Sequence, residues 1–261
     1  MISSPVPGRR ALVRAVPGSF TCALQSRPTA LNPELARSQH ATYVAALEGA
    51  GYRVTLLAAD ESCPDCCFIE DTAVILDGVT LITRPGAPSR LPETPAVAAA
   101  LSQEQPVVYM QAPATMDGGD VLRVGRWLFA GRTARTNAAG IDRLSAVAAE
   151  VGLEVVPVAV AGALHLKSLC TLAAPELIVA VAHRIDLATF RARGLRVLET
   201  DELAGGNVLA LGEVTLVSAD SPLTASALAA DGVSVRSIAI SEFHRADGAL
   251  TCLSLRFGAP G

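Results

Sequence analysis

Lysine is almost absent from this 261-residue chain, since Lys167 is the only lysine among 21 cationic residues. A lysine-rich tail and a nuclear localisation signal are thereby excluded. The cations are outnumbered by 25 acidic residues, which leaves a formal net charge of −4 at pH 7. Because there is no basic excess to release counterions from phosphates, nucleic acid is not an expected partner.

Long apolar runs are also missing. The longest, from Val155 to Leu166, is interrupted by Pro157, Gly162 and His165, whereas a helix that crosses a bilayer needs about 20 apolar residues. No unbroken apolar segment follows the N-terminal arginines, so we expect no secretory signal. These absences predict a soluble, cytoplasmic protein with no membrane partner.

Cysteine and histidine are scarce, with six and four residues respectively. So few cysteines do not make a disulfide-stabilised scaffold, and in a reducing cytosol we expect free thiols. The hydrophobic fraction of 51% and the low net charge exclude intrinsic disorder. Because no Pro/Gly/Ser-rich linker or block of charge divides the chain, we predict one domain over residues 1–261.

Apolar strand-like runs alternate with alanine-rich helical stretches, which indicates an α/β fold. Asn32 as N-cap and Pro33 after it predict the start of the clearest helix, which ends at Gly49 or Gly51. The other four helices are expected after Pro92, over 141–151, over 187–193 and over 221–232.

Each helix is followed by one apolar strand, and most of these strands are followed by a polar loop and a hairpin. The strands begin near Tyr52, Val107, Leu153, Leu195 and Val233. The hairpins turn near Asp77–Gly78, Gly125–Arg126, Pro175–Glu176 and Gly212–Glu213, and Asp-Gly is the strongest of these turn signals. Five such units, the last closing against the N-terminal strand ALVRAV, favour a ring of repeats. An open, doubly wound sheet is the alternative.

Polar and nucleophilic residues recur at the same position of each repeat, just after the strand that follows each helix. They are Asp65, Glu70 and Asp71, then Asp117 and Asp120, then His165, then Asn207, then Cys252. In a ring, equivalent positions point to a common centre, so these groups are predicted to meet at one mouth. Because groups with catalytic chemistry share this position in the repeat, the sequence favours an enzyme.

Taken singly, Cys252 also fits a small core residue, and His165 a hydrogen-bonded histidine between leucines. Together with an acid they fit a nucleophile and its acid–base partner. The competing motif is Cys63-Pro-Asp-Cys66, whose spacing is typical of a redox pair or half a zinc site. No second C-x-x-C or H-x-x-H occurs to complete a zinc site, so the catalytic interpretation is favoured.

Acids and arginines fall into separate groups of loops. Asp65, Glu70 and Asp71 are clustered, and in a cleft they would require a cation. The arginines that can hold an anion by bidentate contacts are Arg84, Arg90, Arg132 and Arg135. A pocket with acids at one end and arginines at the other fits an amino acid with a cationic side chain.

Six segments resemble dimethylarginine dimethylaminohydrolases. In chain order they are CPDCCFIEDTAV, LITRPGAPSR, TMDGGDVLRVG, ARTNAAG, LHLKS and DGALTCLS, and the similarity extends from about Leu24 to Phe257. The resemblance implies a five-bladed α/β propeller (pentein) of pseudo-fivefold ββαβ units, in agreement with the repeat. The implied activity is hydrolysis of asymmetric dimethylarginine or monomethylarginine to citrulline and a methylamine, with no metal or organic cofactor.

By the same resemblance Cys252 is the nucleophile, which forms a covalent thiouronium, and His165 is the general acid/base. Asp117 is the acid that pairs with the histidine. The substrate-binding residues implied are Leu24, Asp65, Phe68, Glu70, Asp71, Arg90, Arg135 and Ala246.

The resemblance also divides the binding tasks among these residues. Glu70 and Asp71 are expected to grip the guanidinium, and Asp65 the α-amino group with help from the backbone at Leu24 and Ala246. The α-carboxylate is assigned to the two arginines of the set.

Two alternatives stand beside this interpretation. The first is an arginine deiminase-type hydrolase acting on unmethylated arginine, although such enzymes carry an inserted helical domain for which this chain has no room. An amidinotransferase is disfavoured on the same ground. The second is a non-catalytic thiol- or metal-sensing protein built on the cysteines near Cys63. We expect a monomer or homodimer.

Overall fold

The computed structural model describes residues 8–258. Residues 1–7, on which the secretory-signal prediction partly rests, and residues 259–261 lie outside this range, and the single domain over 1–261 stays a prediction. Among the residues described, none of the helices combines the length and the apolar character needed to cross a membrane.

The strands of the described range form five separate sheets of three strands each. They are β1 (Arg10–Arg14), β2 (Arg53–Leu57), β3 (Ala73–Leu76), β4 (Val79–Ile82), β5 (Val107–Tyr109), β6 (Val121–Val124), β7 (Trp127–Arg132), β8 (Glu154–Ala159), β9 (Cys170–Ala174), β10 (Leu177–Val181), β11 (Arg196–Thr200), β12 (Leu209–Ala210), β13 (Thr215–Ser218), β14 (Val235–Ile238) and β15 (Leu255–Phe257).

The α-helices lie where the sequence predicts them, with one short addition. They are α1 (Pro33–Gly49), α2 (Thr94–Leu101), α3 (Ala138–Glu150), α4 (Ala188–Arg191), α5 (Pro222–Ala230) and the unpredicted α6 (Ser241–Arg245). The side chain of Asn32 accepts hydrogen bonds from the backbone N–H groups of Glu34 and Leu35 at 3.0 and 3.1 Å. The predicted cap of α1 is therefore confirmed, since it satisfies two donors that the first turn leaves open.

Four of the sheets share one plan. An antiparallel hairpin contributes two strands, and its second strand also pairs in parallel with the strand that follows the helix. The units are β3-β4-α2-β5, β6-β7-α3-β8, β9-β10-α4-β11 and β12-β13-α5-β14. In the fifth sheet the C-terminal β15 is antiparallel to β1, which is parallel to β2, so both ends of the chain complete one blade. The predicted ring of repeats is confirmed, and a single open sheet is excluded.

The hydrophobic core is distributed around the ring, between neighbouring blades. Ile141 and Leu144 of α3 belong to one buried cluster with Leu81 of β4 and Leu128 of β7, which lie in adjacent sheets. The helical spacing of the α3 residues places them on one face, and that face packs on the sheets. The apolar residues thereby hold the blades together and leave the centre to other groups.

A short 3₁₀ helix precedes the first strand of each hairpin and also β15. These five segments, which we call the central turns, are Ile69–Thr72, Gly118–Asp120, Leu166–Ser168, Leu203–Gly206 and Thr251–Leu253. The first central turn contacts the second and the fifth, and the third contacts the second and the fourth. A hydrogen bond of 3.0 Å from Asn207, the residue after the fourth turn, leads to Thr251 in the fifth. The polar residues that occupy the same position in each repeat therefore lie together at the centre of the ring.

Candidate active site

The central turns carry the side chains that the sequence singles out for chemistry. Glu70 and Asp71 lie within the first turn and Cys252 within the last, while Asp117 and His165 directly precede the second and third. Each turn links an outer strand to the next blade, so all five face the same end of the molecule. The five residues are separated by up to 182 positions along the chain (252 less 70) and are brought together only by closure of the ring.

A cavity of about 280 Å³ opens beside these turns. Its lining residues are Leu24, Gln25, Ser26, Asp65, Phe68, Asp71, Arg90, Arg135, Leu164, His165, Ala246, Asp247, Gly248 and Cys252. All the predicted site residues except Glu70 and Asp117 are among them. Of the candidate arginines, Arg84 and Arg132 are not.

His165 is buried against two carboxylates. Its Nε2 lies 2.9 Å from Asp117 Oδ2 and 3.9 Å from Asp71 Oδ1. Burial disfavours the imidazolium, but the charge of Asp71 and the hydrogen bond to Asp117 outweigh it and raise the pKa of His165 to about 9. At neutral pH His165 is therefore a cation that donates to Asp117, the protonation state of a general acid.

Asp117 lies behind the histidine and is fully buried. Its Oδ1 accepts a hydrogen bond of 2.8 Å from the backbone N–H of Gly86, and its own N–H donates to Thr136 Oγ1 at 3.2 Å. Both carboxylate oxygens thus have a donor, because Oδ2 accepts from His165. Asp117 and His165 are therefore hydrogen-bonded, and the catalytic role of the pair stays a prediction.

Asp120 is a supporting residue whose contacts the sequence does not reveal. It is fully buried, and its Oδ1 accepts from the backbone N–H of Leu166, the residue after His165, at 2.9 Å. Its Oδ2 accepts from the hydroxyls of Thr133 and Thr136, both at 2.6 Å. Asp120 thereby anchors the backbone that carries His165 to the neighbouring blade.

Asp71 forms a buried ion pair with Arg90, whose Nη1 lies 2.5 Å from Asp71 Oδ2. Burial alone would raise the pKa of Asp71, but His165 and Arg90 together lower it to about 2. Arg90 also donates to both carboxylate oxygens of Glu93 and to the carbonyl oxygen of Phe68. Most donors of Arg90 are therefore engaged within the protein, and its predicted contact with the substrate carboxylate stays a prediction.

Arg135 is placed differently from Arg90. Its side chain is 19% exposed on the cavity wall, and its Nη1 approaches Asp117 Oδ2 only to 3.7 Å, which is too long for a hydrogen bond. Of these two predicted arginines, Arg135 is therefore the better placed to donate to an anion in the cavity.

Glu70 does not line the cavity. Its Oε1 accepts from Lys167 Nζ at 2.5 Å and its Oε2 from Thr251 Oγ1 at 2.8 Å. Because both oxygens already have donors, the predicted grip of Glu70 on a guanidinium stays a prediction. Asp71 also has a donor on each oxygen, Arg90 on Oδ2 and the backbone N–H of Gly119 on Oδ1 at 2.8 Å, but it differs from Glu70 in being part of the cavity wall.

Cys252 is 8% exposed and lines the cavity with His165. Burial raises the pKa of its thiol, and the negative charges of Glu70 and Asp71 raise it further. In the protein without substrate Cys252 is therefore a neutral thiol, and its predicted role as a nucleophile requires positive charge close to it.

The segment around Leu24 closes over one side of the cavity. The backbone N–H of Leu24 donates to Asp65 Oδ1 at 3.0 Å, and the side chain of Leu24 is 40% exposed. Two residues further on, the N–H and hydroxyl of Ser26 both donate to the carboxylate of Asp247, next to the predicted residue Ala246. The sequence carries no local signal for this contact, since its partners are 221 residues apart.

The cysteines near Cys63 lack two features that are usual in a redox or metal site. Burial raises the pKa values of Cys63, Cys66 and Cys67, that of Cys66 to about 11, whereas redox-active thiols have lowered pKa values. Within residues 8–258 the group of three potential metal ligands is Asp71, Asp117 and His165, which includes none of these cysteines. The two cysteines of the C-x-x-C motif are buried and pack beside Asp65.

Gly119 leaves no room for a side chain between His165 and Asp71. A Cβ atom there would lie 2.7 Å from His165 Nδ1 and 2.8 Å from Asp71 Oδ1. We expect Gly119→Ala to displace both groups and to lower kcat/KM on the order of 100-fold, measured by citrulline release. Gly49→Ala is the matched control, since the nearest neighbour of its Cβ is 3.9 Å away. Unchanged turnover in Gly119→Ala would show that the reaction does not depend on this geometry.

Comparison with known proteins gives relatives over nearly the whole chain. A scan against protein-family models finds no match. The chain is 40% identical over 224 residues to N(G),N(G)-dimethylarginine dimethylaminohydrolase of Streptomyces coelicolor, covering 85% of this chain and 86% of the relative. It is 31% identical over 229 residues to the protein of the same name from Pseudomonas aeruginosa, covering 86% and 90%.

A solved structure shows the same architecture. The dimethylarginine dimethylaminohydrolase from Pseudomonas aeruginosa, as a cysteine-to-serine mutant complexed with citrulline, superposes with a TM-score of 0.91 at 28% identity. The match covers 97% of this chain and all of that one.

A ring of five α/β blades, with a cysteine, a histidine and carboxylates at its centre, defines a hydrolase of the guanidine-modifying type. The similarity to proteins of one name then specifies the family, as the sequence motifs predicted. This chain belongs to the dimethylarginine dimethylaminohydrolase family.

Proposed function

We propose that this chain hydrolyses Nω-methylated arginines to citrulline and a methylamine, with Cys252 as nucleophile and His165 as general acid/base. The names of its relatives support the activity. The observation that carries the assignment of roles is that Cys252 and the His165–Asp117 pair meet at a cavity that Asp65 and Asp71 also line. A nucleophile, a proton donor and carboxylates for a cation are the groups that this hydrolysis requires.

The charges of the cavity fit a methylated arginine. Asp71 supplies a buried carboxylate for the guanidinium beside Cys252, and Arg135 supplies donors for the α-carboxylate. Burial raises the pKa of Asp65, so a substrate ammonium beside it would favour its charged form. These contacts orient the central guanidinium carbon toward the sulfur atom.

Binding of the substrate activates the thiol. The guanidinium brings positive charge next to Cys252, which offsets the charges of Glu70 and Asp71 and lowers the thiol pKa. The thiol proton passes to solvent, and the thiolate forms only in the substrate complex, next to the guanidinium carbon that it attacks. Since the imidazolium of His165 persists at neutral pH, a proton donor is present in the same complex.

The reaction then proceeds in two halves. Cys252 forms a C–S bond with the guanidinium carbon, the C–N bond to the methylated nitrogen breaks, and His165 protonates the departing amine. The thiouronium left on Cys252 is attacked by a water molecule whose proton goes to the now neutral His165. Cleavage of the C–S bond expels the thiolate, the remaining hydroxyl proton passes to solvent, and citrulline is released, while Asp117 stabilises His165 whenever it is an imidazolium.

A substrate series tests this function. We expect citrulline release from asymmetric dimethylarginine and monomethylarginine at a kcat/KM well above that for arginine, in line with the names of the relatives. The measurement is colorimetric citrulline formation with each substrate, with methylamine or ammonia quantified in parallel.

Two results would contradict the proposal. Preference for unmethylated arginine with ammonia release would assign the chain to deiminase chemistry. Failure on all three substrates by a folded protein, together with stoichiometric zinc after purification, would favour the sensing alternative. A cytoplasmic location and a monomeric or homodimeric state stay predictions.

A further inference from the structure

Lys167 takes part in a network beneath the nucleophile that the reaction scheme does not use. Its Nζ donates to Glu70 Oε1, and Glu70 Oε2 accepts from the hydroxyl of Thr251, the residue before Cys252. Asn207 donates to Thr251 Oγ1 at 3.0 Å and to the carbonyl oxygen of Lys167 at 2.8 Å, and its Oδ1 accepts from the N–H of Thr251 at 3.1 Å. The network therefore joins three of the central turns.

This network fixes the backbone at Cys252. Thr251 is held through both its N–H and its hydroxyl, and each bond leads to a residue of another blade. The 3₁₀ turn over Thr251–Leu253 contains only three residues, and its local backbone hydrogen bonds, from Cys252 to Ala249 and from Ser254 to Thr251, do not tie it to another blade. The position of the sulfur atom thus depends on Asn207 and Glu70.

The network also sets the charge next to the thiol. The side chains of Lys167 and Glu70 are only 11% and 10% exposed, so solvent screens them weakly. Burial raises the pKa of Cys252, Glu70 raises it further, and Lys167 opposes the rise. Without Lys167, Glu70 would place an uncompensated negative charge beside a group that must itself become an anion.

We propose that Lys167 is a positioning residue for the nucleophile, which neutralises Glu70 and, through Glu70 and Asn207, holds the turn that carries Cys252. This inference rests on the proposed role of Cys252. It also accounts for the choice of lysine at this position in a chain whose other 20 cations (21 less Lys167) are arginine. A compact ammonium donates to one oxygen of Glu70 and leaves the other for Thr251, whereas a planar guanidinium favours bidentate pairing with both.

The test is the pH dependence of alkylation of Cys252 by iodoacetamide in the substrate-free enzyme. Iodoacetamide is uncharged, so changes of protein charge do not steer it, and peptide mass spectrometry separates Cys252 from the exposed Cys22. We expect Lys167→Met to raise the thiol pKa and to slow alkylation at pH 8 by about threefold per pKa unit, because the greater nucleophilicity of the more basic thiolate offsets part of the loss of thiolate.

A double-mutant cycle separates charge from structure. Glu70→Gln combined with Lys167→Met removes both charges, and we expect alkylation to return toward the wild-type rate. Lys167→Arg retains the charge, so we expect it to keep the wild-type pH profile while it lowers kcat through altered geometry at Thr251. A purely structural Lys167 would change the melting temperature in these variants without moving the alkylation profile.

The outcomes distinguish this inference from the proposed function. An unchanged alkylation profile in a folded Lys167→Met variant would overturn the role of Lys167, whatever the substrate series gives. If Lys167→Met does not fold, slower alkylation in the double variant than in wild type would overturn it instead. If the wild-type protein releases no citrulline, the proposed function is contradicted, but the alkylation measurement of Cys252 remains valid.

Discussion

Cys252→Ser is expected to abolish citrulline formation, with kcat reduced by at least ~10³-fold. A serine hydroxyl is not ionised near neutral pH, and His165 is already protonated with a pKa of about 9, so it cannot take the hydroxyl proton. The replacement changes one buried atom of the last central turn, so the melting temperature is expected to stay near that of wild type. Citrulline release and thermal unfolding followed by circular dichroism measure the two quantities.

Cys22→Ser is the control for this substitution, since Cys22 is exposed and lies outside the cavity. It should retain wild-type turnover. Rapid quenching followed by intact-protein mass spectrometry should show a substrate-derived adduct on wild type and Cys22→Ser but none on Cys252→Ser. Turnover that survives Cys252→Ser would exclude the covalent mechanism.

Replacement of His165 is expected to have the second largest effect. His165→Asn keeps a polar, uncharged side chain of similar size but removes the proton donor, so turnover should fall by about 10²–10⁴-fold. The loss should appear in kcat, because the carboxylates that hold the substrate remain. A folded His165→Asn variant with more than a tenth of wild-type kcat would contradict the acid–base role.

His165 also predicts a pH dependence of stability. Its pKa rises from 6.5 to about 9 on folding, so its contribution is fully present below pH 6.5 and is lost as the pH rises through 9. A rise of this size corresponds to roughly 3 kcal/mol. The difference in unfolding free energy between wild type and His165→Asn should therefore shrink by about that amount between pH 6.5 and 9, measured by urea unfolding. A difference that is constant over this range would show that the folded pKa is not raised.

The repeat was predictable because its signals are local. Alternating apolar residues specify strands, Asn32 with Pro33 starts α1, and Asp77–Gly78 turns the first hairpin. The residues with reactive side chains also recur at the same position relative to these elements. The positions of Cys252 and His165 at a common centre could therefore be inferred from counting alone.

The partners of the charged groups were not predictable. An arginine near an acid cluster suggests an anion site, yet Arg90 is turned inward to Asp71 and Glu93. Glu70 likewise meets Lys167 rather than the cavity. These choices depend on distances of a few ångströms between residues that are up to 97 positions apart in the chain.

The sequence by itself determined the five blades, the turns between them and the residue types that the turns bring to the centre. Only the tertiary structure decided which carboxylates are neutralised by a neighbour, which arginine retains donors for a ligand, and how far burial moves the pKa values of Cys252 and His165. Secondary structure follows from neighbours along the chain, whereas charge and proton affinity follow from neighbours in space and from the loss of water around them.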